Sequence, residues 1–135
     1  MRFILDTNIL FSGIYDLSSN AGRILLLAAE GKVELFSPVH VKDELTEILG
    51  EKLRFSVSDV NEIISSLPVK WIERELYSDS EANASSLISH KRDVPVLACA
   101  LSLGVDIISG VKHFQKVKTK KIKIWKLKKA IEKLK

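Results

Sequence analysis

At 135 residues, 46% of them hydrophobic, the chain has the length of one domain, residues 1–135, and enough apolar surface to bury a real core. No run approaches the roughly 18 consecutive apolar residues of a membrane helix, and the apolar start Met1–Leu5 meets Asp6 too soon for a secretory signal, so a cytoplasmic protein with no membrane partner is expected. The formal net charge of +4 is uneven: residues 112–135 hold eleven lysines against Glu132 alone, while residues 1–111 hold ten basic against sixteen acidic side chains.

The first element is an apolar strand over residues 2–5, ending at Asp6-Thr7-Asn8. A carboxylate at the C-terminal end of a strand lies where α/β proteins place their chemistry, in the crevice outside the sheet edge. A helix follows from Asn20, read as its cap, to Gly31, read as its stop. Its core, Ala21–Ala29, is apolar on every side, so it is either wholly buried or meets another chain.

Val33–Phe36 reads as a second strand. Ser37-Pro38 has the cap and first-turn order of a helix start, and that helix runs to about Leu53. Its apolar stripe is Val41, Leu45, Ile48 and Leu49. At 100° per residue Asp43 faces directly away from the stripe, whereas Glu44 lies about 85° from its centre, at the core margin, where a carboxylate can look toward a cleft.

A helix over Ser58–Ser66 with Val60, Ile63 and Ile64 inward, a strand over Val69–Ile72 and a helix over Ser80–His90 come next. Asp93 stands before Val94-Pro95, so its side chain can cap the following helix or face a cation. That helix, Val94–Leu103, is apolar all round and reads as buried, with the only cysteine, Cys99, as filler inside it. A single cysteine excludes an intrachain disulfide and a cysteine-based zinc centre. Gly104 stops the helix and Val105–Ile108 is a further buried strand. Asp106 at the start of this strand belongs at the opposite end of the sheet from Asp6 and is read as a strand-entry residue; Asp79 and Glu81 are read as helix-cap or dipole partners.

Ile122–Trp125, short and lysine-flanked, suits an edge strand, and Lys128–Lys135 a last helix. The lysines of this end, among them Lys112, Lys116, Lys118, Lys120 and Lys121, would attract a polyanion such as nucleic acid; the alternative is a solvated terminus. Strands alternating with helices predict an α/β fold, a three-layer α/β/α sandwich around a central, mainly parallel sheet.

Asp6, Glu44 and Asp93 thus form a candidate convergent acidic pocket. Hard cations such as Mg²⁺ and Mn²⁺ need oxygen ligands and leave coordination positions for a phosphodiester.

The motifs Asp6-Thr7-Asn8-Ile9-Leu10, Glu44-Leu45, Asp93-Val94-Pro95-Val96-Leu97-Ala98 and Leu103-Gly104-Val105-Asp106-Ile107-Ile108-Ser109-Gly110, in this order, resemble those of the PIN domain family, the metal-dependent nuclease fold of VapC-type toxins and of many archaeal proteins. The resemblance spans nearly the whole chain. It implies that Asp6, Glu44 and Asp93 bind Mg²⁺ or Mn²⁺ and position water for hydrolysis of single-stranded RNA, supported through hydrogen bonds by Asn8 and Ser109. It also implies homodimerisation and, for a toxin, an antitoxin partner received near the early helices. The family's further aspartate after the Ser/Thr-Gly pair is replaced here by Val111, followed by Lys112 and His113. This departure keeps a second reading open, a catalytically degenerate module that binds RNA or a protein without cleaving. His113 could stand in for the missing acid, but an isolated imidazole in a loop suits Mg²⁺ poorly and is read as a surface residue.

Overall fold

The computed structural model describes residues 1–134. Five strands, β1 (Arg2–Leu5), β2 (Glu34–Pro38), β3 (Lys70–Ile72), β4 (Asp106–Ile108) and β5 (Ile124–Trp125), form one sheet in the order β3-β2-β1-β4-β5, with every neighbouring pair parallel. The chain moves from β1 outward through β2 to β3, then returns across the sheet to β4 and β5. The strand order therefore reverses between β1 and β4, and the crevice beyond their C-terminal ends is where such a sheet binds ligands.

Among the described residues eight helices cover the sheet: α1 (Thr7–Tyr15), α2 (Asn20–Ala29), α3 (Val39–Lys52), α4 (Val57–Ser66), α5 (Glu81–Leu87), α6 (Val94–Leu103), α7 (Lys112–Gln115) and α8 (Leu127–Leu134). Right-handed crossovers put α1 to α4 on one face and α5 and α6 on the other. The packing agrees, since α1 lies on α2 and α3, and α3 on α4, while α6 lies across β1, β2 and β4 with α5 beside it. The expected three-layer α/β/α sandwich is what the chain forms.

The core is built from the central strands and the two helical layers. Phe3, Ile4 and Leu5 of β1 and Ile107 and Ile108 of β4 are fully buried, because parallel strands covered on both faces need apolar side chains in both directions. Helix α6 is buried along Val96–Ala100, as its all-round apolar character predicts. It ends at Gly104, whose φ of 65° is the left-handed conformation that glycine adopts without a Cβ penalty.

Several boundaries differ from the sequence reading. Helix α2 is capped by Ser19, whose hydroxyl accepts from the Gly22 N–H, and Asn20 is already helical. Its apolar outer surface meets α8, leaving Leu26 exposed at 59%. Ser37 does not cap α3: it lies in β2, fully buried, and its hydroxyl donates to Leu5 O at 2.7 Å, while Pro38 pairs in register with Ile72. Strand pairing thus overrides a local cap signal. The expected helix over 80–90 is shorter, α5 being preceded by two 3₁₀ turns (Arg74–Leu76 and Ser78–Ser80) and followed by a third at Lys91–Asp93. Lys135, the last residue of the expected final helix, lies outside the described residues.

Asp106 begins β4 and fastens the sheet edge. Its carboxylate accepts from the Lys123 N–H and from Trp125 Nε1, both at 2.9 Å, tying β5 to β4 at the end opposite Asp6. Among the described residues no helix is long and apolar enough to cross a membrane.

Candidate metal centre

The end of β1 delivers Asp6 directly to the N-terminus of α1. One oxygen, Oδ1, caps that helix by accepting from the Ile9 N–H at 3.0 Å; the other, Oδ2, accepts from the Ser109 hydroxyl, presented by the loop after β4. Asp6 is only 4% exposed, and a neutral hydroxyl and a backbone amide are its hydrogen-bond partners. Burial pushes its carboxyl above the ordinary 3.8, against the lowering effect of those two bonds, and the nearby Asp93 adds to the rise. Among the described residues neither hydrogen-bond partner of Asp6 carries a positive charge.

Glu44 enters the same cavity from the second turn of α3. Thr7 Oγ1 donates to its Oε1 at 2.9 Å, and Arg92 meets its Oε2 through Nε at 3.0 Å and Nη2 at 2.9 Å. His40, one turn earlier on α3, approaches Oε1 at 3.4 Å. Its Nε2 completes no hydrogen bond among the described residues.

Asp93 ends the 3₁₀ turn before α6 with helical backbone and no side-chain cap bond. The sequence left capping and cation-facing open for this residue. With α6 starting in a 3₁₀ turn the carboxylate is not used as a cap, and it points to His113 instead. Burial raises its carboxyl above 3.8, opposed by His113 and His90 and reinforced by Glu44.

Asp6, Glu44 and Asp93 therefore line one open cavity of about 330 Å³, together with Thr7, Asn8, Val111, His90 and His113. Asn8 is exposed at the rim and its side chain makes no hydrogen bond among the described residues; Thr7 bonds Glu44 in its place. Ser109, fully buried, bridges Asp6 and the Val111 N–H, and Gln115 Nε2 clamps Ser109 O at 3.0 Å. Val111 puts an apolar side chain into the cavity wall.

The basic end is arranged differently from a lining. Lys112, Lys116, Lys118, Lys120 and Lys121 are all exposed, and none lines the cavity. Since β5 runs parallel to β4, the lysine-rich segment between them must travel from the cavity edge to the opposite edge of the sheet. The cations that do line the cavity are Lys52 and Arg92, which the sequence reading did not single out. His113 is half-buried at the cavity and not on the surface, because α7 turns it inward beside the buried Phe114. The His90-x-x-Asp93 spacing, three residues along one turn, was the available signal for His90.

These features define a small parallel α/β domain with an acidic pocket at its topological switch point. The sequence model of the PIN domain family matches residues 4–135, and the chain belongs to this family. A comparison with curated protein sequences gives no match.

Among solved structures, the DNA-bound VapBC of Salmonella typhimurium is similar with a TM-score of 0.72 and 15% identity, covering 94% of this chain and 98% of that one. VapBC2 of Rickettsia felis, bound to a promoter DNA fragment, gives 0.66 and 17%, with 93% and 98% covered. VapBC-1 of nontypeable Haemophilus influenzae gives 0.66 and 16%, with 95% and 99% covered. At such identities the likeness is one of fold.

Proposed function

We propose that this PIN domain is a divalent-metal-dependent endoribonuclease, with Asp6, Glu44 and Asp93 holding Mg²⁺ or Mn²⁺ and single-stranded RNA as substrate. The observation that carries this reading is the buried Asp6 carboxylate, uncompensated by any cationic side chain in its hydrogen bonds and facing a cavity shared with two further carboxylates. Three carboxylates and no thiolate suit a hard cation.

When bound, such an ion supplies polarisation of the phosphoryl group and a lowered pKa for an attacking water. The chain's own groups do the rest. Ser109 and the α1 N-terminus fix both oxygens of Asp6, and Thr7 holds Glu44 turned into the cavity. Lys52 and Arg92 are placed on the wall to meet phosphate oxygens, and the exposed lysines beyond Lys112 extend the electrostatic attraction for a polyanion along the domain's flank.

In a toxin role the partner is an antitoxin, a reading supported by the VapBC complexes among the structural neighbours. Tyr15 and Leu17, exposed at 70% and 74% at the α1–α2 corner, and Leu26, exposed at 59% further along α2, suit apolar partner contacts, whether with an antitoxin segment or a second copy in a homodimer. A second reading, binding without cleavage, is favoured by Val111, which leaves the pocket with three acids.

The test is cleavage of mixed-sequence single-stranded RNA with Mg²⁺, Mn²⁺ or EDTA, beside Asp6→Asn. Metal-dependent cutting that the variant loses supports the enzyme, and salt-sensitive binding without cutting supports the second reading.

A further inference from the structure

The three-acid pocket has a flank that its carboxylates do not explain. His90, at the start of the 3₁₀ turn Lys91–Asp93, stacks on His113 of α7 with ring centroids 3.8 Å apart and planes 20° from parallel. One ligating atom from each of His90, Asp93 and His113 lies within 4.8 Å of the others. Asp93 Oδ2 and His113 Nδ1 are buried against each other at 2.5 Å, a carboxylate paired with an imidazole. A carboxylate and an imidazole in contact, with a second imidazole stacked over the first, bring three donor atoms within reach of one ion.

The donor set decides which ion. Two imidazoles and one carboxylate suit late first-row ions, whereas Mg²⁺ prefers oxygen and near-ideal octahedral geometry. Three protein ligands leave the ion open to water or phosphate, as in zinc sites that do chemistry. At metal–ligand bonds of about 2.0–2.1 Å, two donors on a tetrahedral ion stand roughly 3.3 Å apart. The Asp93–His113 pair must open by less than about 1 Å to reach that separation, a side-chain rotation at most.

We propose that His90, Asp93 and His113 form a transition-metal site on the flank of the carboxylate pocket, taking Co²⁺, Ni²⁺ or Zn²⁺ in preference to Mg²⁺. The site shares Asp93 with the proposed nuclease set but stands whether or not the chain cleaves RNA. Where the family pattern has a fourth acid this chain has Val111, and His113 two residues later brings a nitrogen donor to the same wall of the cavity. The chain is thereby equipped to choose a softer ion than its carboxylates alone would select.

The experiment is a Co²⁺ titration of untagged, EDTA-stripped full-length protein at neutral pH, followed by visible absorption and calorimetry. One equivalent is expected, with ligand-field bands that persist in a large excess of Mg²⁺. His90→Ala, which removes an exposed side chain and should leave the fold intact, is expected to weaken binding at least tenfold, as is His113→Ala. His40→Ala, at the remaining histidine, keeps the bands. Absence of a stoichiometric complex, displacement by equimolar Mg²⁺, or unchanged affinity in His90→Ala overturns the site. Each of those results leaves a Mg²⁺-dependent nuclease standing, and loss of RNA cleavage in all conditions leaves the Co²⁺ complex standing, so the two failures are distinguishable.

Discussion

The Ser109 hydroxyl donates to Asp6 Oδ2, joining the loop after β4 to the end of β1 across 103 residues of sequence. The Ser109 hydroxyl oxygen in turn accepts from the Val111 N–H at 3.1 Å, so one side chain ties the candidate ligand to the loop that walls its cavity. Ser109→Ala removes a donor from a buried carboxylate and an acceptor from a backbone amide. We expect a loss of about 1–3 kcal/mol of stability in EDTA, measured by urea unfolding. An unchanged midpoint would mean that water replaces the hydroxyl at no cost.

The negative charge on Asp6 is disfavoured by folding. Burial raises its folded-state pKa above 3.8, so the folded chain binds the proton to higher pH than the unfolded chain does. Its contribution is therefore most favourable below the unfolded pKa and is lost as pH rises through the folded one. Asn at this position does not titrate and still caps α1. In EDTA, Asp6→Asn should melt higher than the parent near pH 7, with the difference shrinking toward about pH 4. Adding Mn²⁺ should stabilise the parent more than the variant.

In the proposed centre Arg92 would compete with the metal ion for Glu44. The guanidinium bonds Oε2 twice, but it is 79% exposed, so the pair contributes little to stability. Arg92→Ala should change stability by no more than about 0.5 kcal/mol and strengthen Mn²⁺ binding several-fold, read by calorimetric titration. Weaker binding in the variant would mean that Arg92 organises Glu44 for the ion.

If the lysines on the flank bind RNA, they do so through phosphates. Replacing Lys116, Lys118, Lys120 and Lys121 together by Gln should lower RNA affinity and flatten its salt dependence, by about 0.7 in the log–log slope for each phosphate no longer neutralised. A slope equal to the parent's would place the phosphates on Lys52 and Arg92 inside the cavity.

Legibility in the sequence followed the physics of each element. The strands β1 and β4 and the helix α6 are apolar runs stopped by Asp6, Ser109 and Gly104, and burial on all sides is what such runs report. Helix α1 went unread because Asp6-Thr7-Asn8 looks like the end of a strand when it is also a cap: one carboxylate does both. Ser37-Pro38 misled because a local cap pattern cannot reveal that Ser37 will bond Leu5 O across the sheet. Of the cavity, the three acids were legible through their strand-end, core-margin and helix-start positions. The His90-x-x-Asp93 spacing was present but went unread. Arg92 was not legible, since only the tertiary approach of the turn before α6 to α3 brings it to Glu44, and the place of Lys52 on the cavity wall likewise depends on packing. His113 was misplaced on the surface for the same reason, as the single turn α7 is too short to show a periodicity.

The central claim is that three carboxylates make a working metal centre although Val111 lines their cavity. Its most direct test is single-stranded RNA incubated with the purified chain and Mg²⁺ or Mn²⁺, against EDTA and against Asp6→Asn prepared identically. Cleavage that requires the ion and disappears in the folded variant is the predicted result. Equal cleavage by Asp6→Asn, or RNA binding with no cleavage under any divalent ion, would contradict it.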